Sequence, residues 1–405
     1  MKRAVVTGLG LMCALGHNKT DVWHNMVAGR CGISEVDLFD TSTYRTHTAG
    51  QVKGLDLRTH FSARTSRRMS RYDQIGLLAA REAVSDARLE LTLENADRTA
   101  VIMGAGAGGM ISAEQYRKKQ LLTPGKLPRP SLLVSFESSV LTDAVGNEFG
   151  CRGPRQTVVT ACSSSATAIG YGLDLVQNDE ADIVIAGGSE SLCELTYAGF
   201  NALRSVDPGP CRPFDLQRKG LNLGEGAGML IIEEYDHARQ RQAPMYVELL
   251  GYALSSDAYH MTAPEPAAIG AVNAMRWAIE RAGLQKSDID YISAHGTATR
   301  HNDLIEAKAI NLVFAERANA LPVSSPKSMI GHCLGAAGSI EAVILALTIY
   351  DGIVPPTINY ATPDPAIELD CVPNESRHLE VRYALSNSFA FGGNNTCLVM
   401  GKIDA

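Results

Sequence analysis

The 405-residue chain has no CxxC pair, no stretch resembling a membrane span, no Pro/Ser-rich linker and no charged tail. Each absence removes a class of protein. Nine cysteines without paired spacing argue against a zinc site or a disulfide frame and fit reduced thiols in a cytoplasmic protein. Without a linker, the halves of the chain must pack against each other. Excess positive charge is lacking too: a net charge of −7 argues against a general nucleic-acid binder. The start, MKRAVVTGLGLMCALG, has a basic head and an apolar stretch, but Gly8, Gly10 and Gly16 interrupt it. Arg3 to Thr7 therefore reads as a first strand followed by a turn, not as a signal peptide. A cytoplasmic location with no membrane partner is expected.

What is present is an ordinary globular composition, 45% hydrophobic and 20% charged, with material for a large core. Strands are expected at 99–103, 157–160, 181–188, 230–233, 245–250 and 289–294, and helices at 19–28, 79–87 and 271–282. Residues 120–133 read as a loop. Apolar strands alternating with helices signal an α/β architecture with buried sheets.

The segment Gln156–Leu175 organises the chain. A β-branched run, Thr157 to Thr160, leads into Ser163 and the small residues of a helix, with Cys162 at the junction. A cysteine at a strand-to-helix turn sits near the free N–H groups of the helix start, which favour thiolate and lower its pKa. The competing reading is a small buried hydrophobe. The other eight cysteines are most simply core or loop residues. Gly104 to Gly109 formally satisfies GxGxxG after a strand, but lies a hundred residues in, without an acid on the next strand. Close backbone packing near a pocket explains these glycines at least as well.

Three later stretches share one form, an apolar strand ending in a polar, glycine-rich turn: 291–299 with His295, 323–332 with Lys327 and His332, and 385–394 with Phe389 and Phe391. In layered α/β folds such strand ends gather where clefts form. Each histidine alone is more often structural than catalytic, and the spacing of His295, His301 and His332 does not suit zinc, so no metal is expected. Together with Cys162, two imidazoles and a lysine suit a thioester-forming thiolate beside groups that stabilise charge on a carbonyl oxygen. Between residues 56 and 74, Arg58, Arg64, Arg67, Arg68 and Arg71 face only Asp56 and Asp73. That run is either a solvated helix face or a dock for an acidic partner.

The segments VVTGLG, TACSSS, AGGSE, RPFD with GEGAGM, AHGTATRHND, SPKSMIGHCLGAAG and NSFAFGGNN carry a resemblance spanning Met1 to Gly401. The chain resembles the elongating β-ketoacyl-[acyl-carrier-protein] synthases, the decarboxylating Cys–His–His ketosynthases of the thiolase-like superfamily. The resemblance implies a five-layer αβαβα sandwich of two pseudo-repeated halves, 1–250 and 251–405. It implies an acyltransferase in which Cys162 takes an acyl chain and His295 and His332 assist condensation with malonyl carrier protein. The backbone N–H groups of Cys162 and Phe391 would form the oxyanion hole. Lys327 would act electrostatically, with Glu306 as its carboxylate partner and Asp303 nearby. Thr297 and Thr299 would bind the phosphopantetheine arm, which arrives on the carrier protein, so no dissociable cofactor is implied. Glu341, Ser386 and Asn387 fit a structural cation site seen in some relatives. Arg64, Arg67, Arg68 and Arg204 would face the acidic helix of the acyl carrier protein. A dimer is expected, with a second copy or a homologous ketosynthase-like subunit.

The sequence departs from the common family pattern. Ala107 stands where a bulky aliphatic residue often lines the acyl pocket or dimer interface, and Ala390 replaces the glycine between the two phenylalanines of the gating turn. The loop 205–212 is shorter, and Lys219 replaces an aspartate. These changes point to a specialised fatty-acid, polyketide or polyene pathway. A non-catalytic chain-length-factor subunit would lack the nucleophile, which is present here. A thiolase would need a second cysteine where Asn394 and Asn395 stand. A starter-type condensing enzyme would carry asparagine in place of His332.

Overall fold

Ala4–Cys13 forms β1, a ten-residue strand buried along its whole length, from which the sheet extends in both directions. The computed structural model describes residues 1–123 and 125–403. The first half continues with α1 (Arg71–Asp86), β2 (Thr99–Gly104), α2 (Val140–Glu148), β3 (Arg155–Val158), α3 (Ser164–Gln177), β4 (Ile183–Glu190) and β5 (Gly226–Glu234). The second half repeats the series with β6 (Val247–Ser256), α4 (Ile269–Arg281), β7 (Tyr291–Ser293), α5 (Arg300–Phe314), β8 (Val323–Ser324), α6 (Ala337–Asp351), β9 (Tyr383–Phe389) and β10 (Asn394–Gly401).

The strand order is β8-β7-β9-β10-β6-β1-β5-β4-β2-β3. Outward from the centre, each side has two antiparallel pairings and then two parallel ones. The sides meet only where Val5 and Val6 pair with Glu248 and Val247. Helices α1 and α2 cover the outer face of one side, and α4 and α5 that of the other. Between the two sides of the sheet lie α3 and α6, each touching strands of both. The result is the five-layer α/β sandwich that the sequence resemblance implies.

Glycine decides where several elements differ from their sequence-based bounds. Gly8 and Gly10 do not end β1; the strand runs through both to Cys13. A Cβ on Gly10 would overlap the carbonyl oxygen of Ala79, and one on Gly8 that of Ala83. These positions let α1 lie directly on the strand, so glycine here marks close packing and not a turn. Likewise β4 continues past Gly187 and Gly188 to Glu190. Helix α1 begins at Arg71, eight residues before the expected start, behind a Ser70–Asp73 capping box. A further helix, Met110–Leu122, reaches into the segment expected as loop. The apolar stretch Leu334–Asp351 is 89% buried as a core element between the two sides of the sheet.

This frame places the chemistry. Cys162 follows β3, His295 follows β7, Lys327 follows β8, and Phe391 follows β9. The parallel strand ends and the starts of α3 and α6 converge there.

Candidate active site

Cys162 lies in a single turn, Ala161–Ser163, directly before α3. Ala161 has a φ of +53°, so the chain bends sharply before the cysteine. Serine side chains hold the bend: Ser164 Oγ accepts from the Thr160 N–H at 2.9 Å, and Ser163 Oγ donates to the Thr160 carbonyl at 2.9 Å. The sulfur thus sits near the helix start, and the backbone N–H of Phe391 points at it.

One expectation fails at this residue. Burial pushes the Cys162 thiol up to about 11, outweighing the opposing pulls of Lys327 and the Phe391 N–H. Glu190 and Glu341 push it in the same direction as burial. At rest Cys162 is therefore a thiol, because removing water costs the anion more than the flanking positive groups return.

His295 and His332 face each other with ring centres 5.3 Å apart and planes at 83°. Both are buried and held well below the ordinary histidine range, by burial first and by the positive charge of Lys327 second. Both are neutral at pH 7. Lys327 Nζ lies 3.4 Å from His295 Nδ1. An ammonium can only donate, so Nδ1 accepts and the ring proton resides on Nε2. His332 Nδ1 is buried with no hydrogen-bond partner among the described residues.

The carboxylate partner of Lys327 is Glu341 on α6, not Glu306, and this ion pair is buried. Glu306 is committed elsewhere: its two oxygens accept from the N–H groups of His295 and Gly296, each at 2.8 Å. Asp303 accepts from Phe214 N–H at 2.8 Å and Ala298 N–H at 3.1 Å, fixing the same turn from its other side. Glu306 is pushed up to about 7 by burial, against the pull of those N–H groups. Glu341 Oε2, Ser386 Oγ and Asn387 Oδ1 are buried without hydrogen-bond partners, a set of oxygens of the type a hard cation takes. Among the described residues no group of three His, Cys, Asp or Glu side chains suits a metal.

A cavity of about 300 Å³ opens onto Cys162, His295 and His332. Thr297 and Thr299 line it, with their hydroxyls 2.9 Å apart, as do Phe389, Ala390 and Phe391. Phe391 stacks on Phe200 with ring centres 5.8 Å apart. Phe200 escaped the sequence reading, since one aromatic on an amphipathic helix carries no signal of its own. Asp257–Pro264 also forms part of the wall. Its Asp257 N–H and Met261 carbonyl bond the backbone of the Phe391–Gly393 turn. Ala107 does not line this cavity; its N–H donates to Glu190.

The four arginines are exposed but are not all together. Arg67 and Arg68 line a second cavity, of about 650 Å³, with Lys119 and Arg129. Arg204 and Arg64 line neither cavity, although Leu203 and Ser205 on either side of Arg204 line the first. Arg71 leaves the surface set, because it is paired with the fully buried Glu225.

Residues 1–238 match the family model "Beta-ketoacyl synthase, N-terminal domain", and residues 246–361 match "Beta-ketoacyl synthase, C-terminal domain". The chain is 42% identical over 413 residues to a 3-oxoacyl-[acyl-carrier-protein] synthase 2 of Staphylococcus aureus (strain COL), covering 100% of this chain and 99% of the relative. Among solved structures it is similar to the ishigamide ketosynthase/chain length factor, with a TM-score of 0.94 and 34% identity over the full length of both. It is also similar to a type II polyketide ketosynthase in complex with its acyl-carrier protein and bound to the hexaketide, with a TM-score of 0.89 and 33% identity over all of both chains.

Proposed function

This chain belongs to the β-ketoacyl synthase family, and we propose that it is a 3-oxoacyl-[acyl-carrier-protein] synthase in which Cys162 carries the growing chain. The observation that carries the reading is the meeting of Cys162, His295 and His332 at one cavity. In the first half-reaction the Cys162 sulfur attacks the acyl thioester of a carrier protein. A new C–S bond forms, the pantetheine sulfur leaves, and the thiol proton goes to that sulfur. The N–H groups of Cys162 and Phe391 bond the carbonyl oxygen as it gains charge.

In the second half-reaction malonyl carrier protein loses carbon dioxide. Its thioester oxygen takes the negative charge of an enolate, and the two neutral imidazoles donate to it. The enolate carbon attacks the Cys162 thioester, the C–S bond breaks, and the released thiolate takes a proton from solvent water. Lys327 orients His295 through Nδ1 so that Nε2–H faces the reaction. Asp303 and Glu306 hold the His295 turn. Glu341, Ser386 and Asn387 would hold a structural cation, whose charge would fix α6 behind Lys327.

Thr297 and Thr299 bond the phosphopantetheine arm as it enters on the carrier protein. Phe389, Ala390 and Phe391 form the turn that admits the acyl chain. Arg64, Arg67, Arg68 and Arg204 receive the acidic carrier protein. The halves 1–250 and 251–405 act as one unit in the cytoplasm, dimerised with a second copy or a homologous subunit. Ala107 and Ala390, with the likeness to polyketide ketosynthases, support a specialised pathway.

The test is mass spectrometry of the protein after incubation with a panel of acyl carrier proteins, beside Cys162→Ala. An acyl adduct on Cys162, absent from the variant, is expected. No adduct from any donor would overturn the reading.

A further inference from the structure

Glu190 is a fully buried carboxylate at the end of β4 whose only part above is a minor upward push on the Cys162 thiol. Its partners are all backbone. Oε1 accepts from the N–H groups of Ala107 and Gly108, each at 3.1 Å, and Oε2 accepts from Gly335 N–H at 3.1 Å. The Gly106 N–H is a fourth donor. No lysine or arginine among the described residues is paired with it.

The donors belong to two different loops. Residues 106–108 follow β2, whose last residue, Gly104, packs so tightly on α3 that a Cβ there would overlap the backbone of Ser165. Gly335 lies three residues beyond His332, in the turn that starts α6. The loops touch backbone to backbone: a Cβ on Gly335 would overlap the Gly106 N, and a Cβ on Gly106 would overlap Glu190 Oε2. A carboxylate is needed at such a joint because every group facing it is a donor. An amide would turn an N–H₂ toward one set of donors and leave those N–H groups buried and unmatched.

We propose that Glu190 is a positioning residue for the condensation half-reaction, fixing the His332 loop against the Gly106–Gly108 turn and hence against Cys162. Its hydrogen bonds all go to backbone, and it touches neither substrate nor His332 itself. A loop released at Gly335 shifts His332 relative to the enolate oxygen, whereas the bend that presents Cys162 is held independently by Ser163 and Ser164. The inference rests on the ketosynthase reading, and the two fail differently.

The experiment compares wild type, Glu190→Gln and Glu190→Asp in two half-reactions: acylation of Cys162 by acyl carrier protein, and carbon dioxide release from malonyl carrier protein. Glu190→Gln is expected to slow carbon dioxide release about ten-fold or more while changing acylation by less than about three-fold, since small misplacements are costly only where geometry sets the rate. Glu190→Asp keeps the charge and is expected to recover part of the loss. Equal loss in both half-reactions, or none in either, would overturn the proposal; failure of wild type itself to acylate would overturn the ketosynthase reading. Amide hydrogen exchange of wild type covers variants that do not fold. Strong protection at Ala107, Gly108 and Gly335 is expected, and exchange at the rate of open loops would sink the idea.

Discussion

Lys327 Nζ sits between two buried partners, with the Glu341 carboxylate on one side and His295 Nδ1 at 3.4 Å on the other. The lysine therefore does two things with one charge. It neutralises an acid that burial would otherwise protonate, and it keeps the adjacent imidazole neutral with its proton on Nε2.

Separating these roles gives the first prediction. Glu341→Ala leaves an ammonium buried without its counter-charge, and breaking such a pair costs about 3–5 kcal/mol. Replacing both partners, Lys327→Met with Glu341→Leu, is expected to restore most of that stability, since an apolar pair of similar volume needs no desolvation. Condensation should not recover, because nothing then donates to His295 Nδ1. Denaturant unfolding together with carbon dioxide release checks this. Full activity in the double variant would show that the lysine serves stability alone.

Cys162 supplies a prediction about pH. With its thiol pushed up to about 11 by burial, the thiolate fraction at neutral pH is small and grows about ten-fold per pH unit below the pKa. Alkylation of Cys162 by iodoacetamide, followed by mass, should rise steadily from pH 7 to 9.5 without levelling. A plateau near pH 7 would mean that the helix start and the Phe391 N–H outweigh burial.

Much of the site was legible because the chemistry lies in contiguous motifs. Cys162, His295, Lys327 and His332 each stand at a strand end that the apolar runs announce, and those runs place them at one edge. What stayed hidden was cross-chain pairing. Asp303 and Glu306 share a motif with His295, which made Glu306 the natural partner for Lys327. Only the packing of α6 shows that Glu341 reaches the lysine, while the short helix-to-strand distance ties Glu306 to the His295 turn. Gly8 and Gly10 misled for a related reason: a sequence shows that glycine is present, not whether a turn or a neighbouring helix requires it.

Glu306 yields a stability prediction with a definite sign. Its folded pKa, about 7, lies above the ordinary value of 4.5. Its contribution is thus complete below about pH 4.5 and is lost as pH rises through about 7. The thermal midpoint of wild type should fall between pH 5 and 7, and Glu306→Gln should flatten that slope while lowering the midpoint at pH 5. The lowering follows from the amide, whose N–H₂ cannot accept from both His295 and Gly296. An unchanged slope in the variant would assign the titration to another group.

Arg67 and Arg68 test how the carrier protein docks. Both are exposed, and neither has a carboxylate partner among the described ion pairs, so their charge is free to act outward. With Lys119 and Arg129 they form a positive concavity on a protein whose net charge is −7. Such a patch steers an acidic partner and adds little to the chemical step. Reversing both, Arg67→Glu with Arg68→Glu, is expected to raise KM for acyl carrier protein about ten-fold, roughly 1.4 kcal/mol of binding, with kcat held. The effect should shrink as salt rises past 0.1 M, where screening acts within about 10 Å. Arg204→Glu offers the contrast, because Arg204 is exposed but lies outside the positive concavity. Its reversal should raise KM less than the double reversal does, with kcat held. Equal KM for wild type and the double reversal at low salt would remove this surface from the docking path.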